Sequence, residues 1–275
     1  MTSNILQAVD HSSPLIMGIL NITPDSFSDG GKFSSYSSAL KRAECMIKDG
    51  ADIIDLGGES TKPGAISVCE EEELERVIPL LNAIKKNLSV KISIDTSKAE
   101  VMRQAIEHGA DMINDVRALQ NDGCLNVLAE SQLPVCLMHM QGEPKTMQIA
   151  PHYDNIIDDI KAFFVSRIQA CEQVGISRSR IILDPGFGFG KTLAQNYQLL
   201  AQLDKFDDLG LPLLSGTSRK SMIGDLLSRN VNDRLAGSLV TAIIASQKNA
   251  NIIRVHDVKE TVDALKVLKM TASYQ

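Results

Sequence analysis

The chain has 275 residues, of which 44% are hydrophobic and 23% are charged, a composition typical of a soluble globular protein. The formal net charge of -6 at pH 7 argues against nucleic-acid binding, because domains that bind nucleic acids are usually basic. No apolar run approaches the ~20 residues that a membrane-spanning helix requires.

The five cysteines indicate packing residues in a reducing compartment. Their number is odd and none forms a CxxC pair, so the spacing predicts neither a disulfide framework nor a zinc site. Residues 1–13 contain no basic region followed by an apolar stretch, so no signal peptide is indicated. We therefore expect a soluble, cytoplasmic protein.

Short apolar runs alternate with amphipathic stretches along the chain. The apolar runs predict eight β-strands, over residues 14–20, 52–56, 91–95, 111–114, 134–138, 181–184, 212–215 and 251–254. The stretches that follow them predict helices over residues 37–48, 70–86, 97–108, 123–131, 155–174, 193–203, 231–247 and 258–270. In the second of these, Leu74, Val77, Ile78, Leu81 and Ile84 recur at the three- and four-residue spacing of a helix face.

This order of elements predicts an α/β fold. The strands are nearly continuous apolar runs, which is typical of a parallel sheet covered on both faces. Eight strand–helix units fit a (β/α)8 TIM barrel best, and we expect one domain over residues 1–275 with residues 1–13 as a short N-terminal extension. A doubly wound open sheet is the structural alternative.

Polar residues follow every predicted strand. For any single one, capping of the next helix is a sufficient explanation. In a barrel, however, all carboxyl ends of the strands converge on one face, which is where barrel active sites lie. The segments after the first two strands are also long and rich in Gly and Ser, which favours mobile lids.

Two common motifs are absent from these segments. Residues 185–192 resemble a phosphate-binding P-loop, but Pro185 stands where that motif requires glycine. The five histidines show no zinc-ligand spacing. The sequence therefore predicts neither a nucleotide-binding loop nor a zinc enzyme.

The strand-end segments together resemble dihydropteroate synthase, an enzyme of folate synthesis and a member of the pterin-binding TIM-barrel family. The phrases NITPDSFSDGG, DLGGEST, SIDTSK, INDV, LDPGFGFGK, GTSRKS and RVHDV occur in the family's order, from about Leu15 to Leu268. The resemblance implies condensation of 4-aminobenzoate with (7,8-dihydropterin-6-yl)methyl diphosphate, assisted by Mg²⁺, to give 7,8-dihydropteroate and pyrophosphate. It also implies a homodimer and a sulfonamide target, with small molecules as substrates and no nucleic-acid or membrane partner.

The resemblance places a pterin site at the strand ends. A pterin presents a guanidine-like edge of donors, whose burial requires acceptors in the same plane. The residues that match the family's pterin site are Asp95, Asn114, Met138, Asp184 and Lys220. Of these, Asp95 and Lys220 are the expected catalytic residues, with Asp95 placed to stabilise positive charge.

The resemblance assigns the diphosphate to Asn21, Thr61, Arg254 and His256. The forked N–H donors of arginine suit an oxyanion. Asn21 is also the expected ligand of Mg²⁺, since this ion usually keeps several waters and takes substrate phosphate oxygens as further ligands.

The resemblance assigns the aminobenzoate pocket to Phe27, Pro63, Phe189 and Ser221, beside Lys220. The resemblance implies that Ser221 lies near the start of a helix, where backbone N–H groups help to bind a carboxylate. The chain departs from the family at Lys62, where arginine is common. Lysine lacks the planar bidentate fork, so we assign no clamping role to this position.

The implied mechanism needs no side-chain nucleophile. The C–O bond breaks early, and the aromatic amine then attacks a resonance-stabilised pterin cation. One alternative is the methyltetrahydrofolate-binding domain of a corrinoid methyltransferase, which should not need NITPDSFSDGG or the Ser-Arg-Lys of the seventh segment. Another is a non-catalytic pterin-binding barrel, which predicts loss of the strand-end charges, whereas Asp95, Asp184, Lys220 and Arg254 are all present.

Overall fold

The computed structural model describes residues 5–7, 13–22, 31–60, 64, 67–143 and 146–274, and only the backbone of residues 31–35. Strands and helices alternate through these ranges. The strands are β1 (Leu15–Asn21), β2 (Ile53–Gly57), β3 (Lys91–Asp95), β4 (Met112–Asp115), β5 (Val135–Met138), β6 (Ile181–Asp184), β7 (Leu214–Ser215) and β8 (Ile252–Val255). All eight predicted strands are present, with bounds within two residues of those predicted.

The strands form a barrel. All pairs are parallel, in the order β6-β5-β4-β3-β2-β1-β8-β7. The two ends of this order meet at a parallel bridge between Leu183 and Leu213, where Leu183 N donates to Pro212 O at 2.9 Å. This contact closes the ring, so the (β/α)8 barrel is confirmed and the open-sheet alternative is wrong.

The helices cover the outside of the barrel. They are α1 (Gly31–Lys48), α2 (Glu70–Asn87), α3 (Ala99–Glu107), α4 (Cys124–Ala129), α5 (Ile156–Gln173), α6 (Leu193–Ala201), α7 (Ser221–Leu227), α8 (Leu235–Gln247) and α9 (Val258–Ala272). The predicted face of α2 is confirmed at Val77, Leu81 and Ile84, whose side chains are fully buried. Burying one such side chain stabilises a fold by roughly 1.5–3 kcal/mol.

Two helices, α7 and α8, stand between β7 and β8, where the sequence predicts one over residues 231–247. The seven residues of α7 are too few to show a periodic apolar face. The two helices approach closely at glycines. A Cβ on Gly224 would lie 2.1 Å from Arg234 Nη2, and one on Gly237 would lie 2.4 Å from Ile223 Cγ2.

The barrel interior consists of an apolar layer below a polar one. The apolar layer is formed by Met17, Ile53, Met112, Cys136, Ile182, Leu214 and Ile252, together with Ile5 from the predicted N-terminal extension. Side chains alternate between the two faces of a strand, so the residue two positions later also points inward. Asp55, Asn114, Asp184 and Arg254 each lie two residues after a member of the apolar layer, and Asp95 lies two residues after the buried Ser93. These five side chains form a polar layer at the carboxyl ends of the strands.

Candidate active site

Arg254 links two carboxylates of the polar layer. Its Nε donates to Asp55 Oδ2 at 2.6 Å, and its Nη2 donates to Asp95 Oδ2 at 2.8 Å. Asp55 is fully buried and Asp95 is 5% exposed. The guanidinium therefore joins β8 to β2 and β3 in a setting where its charge is needed to compensate two acids.

The charge balance of this group raises the pKa of Asp95. Burial is the main cause, and the nearby Asp55 carboxylate adds to it, while Arg254 opposes both; the pKa of Asp95 is raised to about 8. The group of two carboxyls and one guanidinium is neutral only when one carboxyl is protonated. Arrival of a cationic group near Asp95 would favour the ionised carboxylate.

Asp55 is a site residue that the sequence analysis missed. Its Oδ2 also accepts a hydrogen bond from Asn114 Nδ2 at 3.3 Å, and its Oδ1 makes none among the described residues. Asp55 therefore orients both Arg254 and Asn114. An acid in the middle of a buried apolar strand was the available signal, since a lone buried carboxylate needs a partner.

Lys220 connects the polar layer with an aromatic ring. Its Nζ lies 4.5 Å from the centroid of Phe189 and donates to Phe187 O. Burial lowers the pKa of Lys220 to about 8, although the Asp184 carboxylate opposes this shift. Burial likewise raises the pKa of Asp184, and Lys220 opposes that change. The two groups form the β6–β7 side of the site.

The glycine-rich segment after β6 is built around Lys191. The buried Nζ of Lys191 donates to Gly186 O at 2.8 Å and Phe189 O at 3.0 Å, and it lies 3.1 Å from His139 Nδ1. Burial holds the pKa of Lys191 well below its ordinary value and lowers that of His139 to about 2. Lys191 therefore stabilises the carbonyl groups of its own loop.

Gly186 is required in this loop for two reasons. Its φ of +71° lies in the left-handed region, and an added Cβ would lie 1.9 Å from His139 O. Its N–H donates to Asp184 Oδ1 at 2.8 Å. The tight turn therefore orients the Asp184 carboxylate directly.

Hydrogen bonds connect the segments after β7 and β8. Ser218 Oγ lies 3.1 Å from His256 Nδ1 and accepts from His256 N at 3.1 Å. Arg219 donates from Nε to Asp257 Oδ2 at 2.9 Å. These contacts place His256 beside the Lys220 segment, although the sequence analysis assigned no role to Ser218.

Asn21 lies at the end of β1 above Gly57. A Cβ on Gly57 would lie 2.9 Å from Asn21 Oδ1 and 3.9 Å from Asp95 Oδ2. The glycine therefore leaves room for the Asn21 amide near Asp95. Within the described ranges, no three His, Cys, Asp or Glu side chains form a group that could hold a metal ion.

The remaining predicted residues differ in their placement. Met138 packs with Val116, Met147 and Phe189 beside the polar layer. Ser221 is the exposed first residue of α7, directly after Lys220. Phe27, Thr61, Lys62 and Pro63 lie outside the described residues.

Known proteins are similar to this chain over most of its length. Residues 17–256 match the family described as pterin binding enzyme. The chain is 56% identical to dihydropteroate synthase of Escherichia coli (strain K12) over 266 residues, which cover 97% of this chain and 94% of the relative.

Solved structures are similar over nearly the whole chain. Yersinia pestis dihydropteroate synthase in a sulfonamide drug complex superposes with a TM-score of 0.92 at 52% identity, covering 96% of each chain. Xanthomonas albilineans dihydropteroate synthase with 4-aminobenzoic acid superposes with a TM-score of 0.90 at 47% identity, covering 95% of this chain and 94% of the other.

Proposed function

This chain belongs to the family of pterin binding enzymes. We propose that three groups of its strand-end residues divide the work of the dihydropteroate synthase reaction: one binds the pterin, one binds the leaving diphosphate and one places the amine. The activity is that of a dihydropteroate synthase, a transferase. It condenses (7,8-dihydropterin-6-yl)methyl diphosphate with 4-aminobenzoate and releases pyrophosphate. The observation that carries the proposed division is the partly buried Arg254 that joins Asp55 and Asp95 in the polar layer.

Pterin binding falls to Asp184, Asn114, Asp95 and Lys220, with Met138 against the ring. The first three supply buried oxygen acceptors for the donor edge of a pterin. Lys220 supplies a donor for the acceptor groups of the pterin, and its charge interacts with the Asp184 carboxylate. The apolar layer beneath these groups excludes water, which strengthens each hydrogen bond.

Asp95 stabilises the transition state of C–O cleavage. The electron pair of the breaking bond leaves with the diphosphate, and a cation forms on the pterin methylene carbon. The amine nitrogen then forms the C–N bond and loses a proton to solvent. A buried carboxylate held by Arg254 interacts more strongly with a developing cation than with the neutral substrate.

Diphosphate binding falls to Arg254, His256, Asn21 and Thr61. Two nitrogens of Arg254 bind Asp55 and Asp95, and Nη1 makes no hydrogen bond within the described ranges, so Nη1 is the donor that we assign to the diphosphate. His256 is oriented by Ser218. Thr61 is assigned to the diphosphate on the family resemblance alone.

Mg²⁺ fits the Asn21 side of the site. The amide oxygen is a hard ligand of the kind that Mg²⁺ accepts, and Gly57 leaves the space beside it. Asn21 would hold the ion together with waters and diphosphate oxygens. When bound, Mg²⁺ supplies positive charge that stabilises the leaving diphosphate.

The amine pocket is formed by Phe189, Lys220 and Ser221, with Phe27 and Pro63 assigned by resemblance. The Phe189 ring stacks under Lys220 and offers an aromatic face to the benzoate ring. Ser221 begins α7 and supplies a hydroxyl for the carboxylate.

We further propose a cytoplasmic, single-domain homodimer. Exposed apolar side chains cluster in sequence on α7, α8 and the residues between them, at Leu226, Leu227, Val231 and Val240, and this surface is the proposed interface. Val240→Asp should then yield monomers in light scattering. Among the described residues, no helix combines the length and apolar character that crossing a membrane takes.

An assay of pyrophosphate release tests the function. Release should require both the pterin diphosphate and 4-aminobenzoate, and it should stop when Mg²⁺ is chelated. Pterin binding without release would support a binding-only barrel instead. Binding of methyltetrahydrofolate without release would support the methyltransferase alternative.

A further inference from the structure

Lys98 lies at the centre of a partly buried ion cluster behind the site. Its Nζ donates to Glu59 Oε2 at 2.6 Å and to Glu73 Oε2. Glu59 follows β2, Lys98 follows β3, and Glu73 lies in the first turn of α2. One ammonium group thus joins three elements, and the reaction described above uses none of these residues.

Lys98 and Glu59 stabilise each other's charged forms in this cluster. Burial lowers the pKa of Lys98, but its hydrogen bonds to the two carboxylates outweigh burial, and the net shift is upward. Burial raises the pKa of Glu59, but the hydrogen bond from Lys98 and the one from Val68 N more than offset it. Both groups are therefore charged at neutral pH, and the contact is a true ion pair.

The cluster also ties together the two ends of the segment after β2. Glu59 Oε1 accepts from Val68 N at 3.0 Å, nine residues along the chain. Arg76 Nη1 donates to Gly58 O at 2.7 Å, which anchors the first end on α2. A Cβ on Gly58 would lie 2.8 Å from Val77 Cγ2, so the chain leaves β2 in close contact with this helix.

We propose that Lys98 and Glu59 are positioning residues of the reaction, because the ion pair between them holds Glu59, and through it Val68, against the loop that follows Asp95. This inference rests on the proposed function, in which Thr61, between Glu59 and Val68 in the sequence, binds the diphosphate. Lys98 stands only three residues after Asp95, so the pair relates the diphosphate side of the site to the group that stabilises the cation. A small displacement between these two would cost much of the rate, since a 1 Å misplacement can cost about 100-fold.

A purely structural role is the competing explanation, because Lys98 also compensates the fully buried Glu73. Removing Lys98 alone would leave Glu73 as a buried charge without a partner, which is strongly destabilising. Glu59→Ala avoids this problem, since it leaves the Lys98–Glu73 pair in place. Lys98→Met combined with Glu73→Gln removes the ammonium without leaving a buried charge.

The test compares Glu59→Ala and Lys98→Met/Glu73→Gln with Lys85→Met. Lys85 lies on α2, the helix that also carries Glu73. Its Nζ pairs with Asp111 Oδ2 at 3.0 Å, at the opposite end of the barrel. For each protein, kcat, both KM values and the midpoint of thermal unfolding are measured. Binding of inorganic pyrophosphate with Mg²⁺, and of a hydroxymethyl pterin without diphosphate, is measured by calorimetry.

We expect Glu59→Ala to lower kcat/KM for the pterin diphosphate by about 10- to 100-fold and to weaken pyrophosphate binding, with pterin binding unchanged. Glu59→Gln, which keeps the acceptors, should recover part of the activity, and Lys85→Met should resemble the unaltered chain. Combining Glu59→Ala with Lys98→Met/Glu73→Gln should add nothing further to the loss of kcat/KM, because the two act through one contact.

Unchanged kcat/KM in Glu59→Ala would overturn the positioning role. So would a parallel loss of pterin binding, pyrophosphate binding and thermal stability, which indicates a structural role. If the unaltered chain released no pyrophosphate, the proposed function itself would fall, and this inference would fall with it.

Discussion

Arg254 donates from Nη2 to Asp95 Oδ2 over 2.8 Å, across the mouth of the barrel from β8 to β3. The pair brings the cation assigned to the diphosphate into direct contact with the carboxylate assigned to the pterin cation. Negative charge that develops on the diphosphate is therefore stabilised by Arg254, and positive charge that develops on the pterin is stabilised by Asp95. These two side chains are hydrogen-bonded to each other.

Asp95→Asn should lower kcat by about 100- to 1000-fold, the range found when one preorganised electrostatic group is removed from a site. Pterin affinity should change little, because an amide still offers an oxygen acceptor. Single-turnover kinetics and equilibrium binding of the pterin separate the two effects. Unchanged turnover would rule out the role assigned to Asp95.

Asp55→Asn should reduce kcat/KM for the pterin diphosphate by roughly tenfold, because it weakens the orientation of Arg254. The Asp55 charge raises the pKa of Asp95, so its removal should lower that pKa and move the acidic limb of the pH profile downward. Asp52→Asn is the matched control, since Asp52 accepts from Ile16 N at the amino end of the barrel. An acidic limb that stays in place would contradict the coupling.

The pH profile of kcat/KM for the pterin diphosphate should be bell-shaped with its maximum near pH 8. Below that pH the Asp95 carboxyl, whose pKa burial raises to about 8, takes up the proton that cancels its charge. Above it Lys220, whose pKa burial lowers to about 8, loses its charge. Asp95→Asn should flatten the acidic limb and Lys220→Gln the alkaline one, whereas a level profile from pH 6 to 9 would refute both assignments.

Lys191→Met should lower the free energy of unfolding by about 1–3 kcal/mol, because it leaves the buried Phe189 O without its donor and removes the contacts to His139 and Gly186 O. The KM for 4-aminobenzoate should rise, since the loop that holds Phe189 loses its support, while pterin affinity is retained. Denaturant titration and steady-state kinetics test this. Lys259→Met, on the exposed surface of α9, should behave like the unaltered chain.

The fold could be predicted because its signal is local. Each strand is an apolar run bounded by helix ends, and eight of them in alternation with helices are compatible with few architectures. The short α7 was missed because seven residues carry too little periodicity. Closure of the ring through Leu183 and Leu213 depends on strands that are distant in the chain, so it required the structure.

The site was predicted in part. Asp95, Asn114 and Asp184 lie at the carboxyl ends of their strands, Lys220 follows β7, and motif phrases mark all four. Asp55 also belongs to a motif phrase, DLGGEST, but it stands inside β2, and only the structure shows that its side chain points inward to Asn114.

By itself, the sequence determined the class of fold, the face that carries the chemistry and the family, because strand ends and motif phrases are contiguous in the chain. The tertiary structure alone decided which charges meet. Arg254 and Asp55 are 199 residues apart in sequence, and no local pattern encodes their 2.6 Å contact. That pairing arises from barrel closure, which buries the acids where only a neighbouring cation can compensate them.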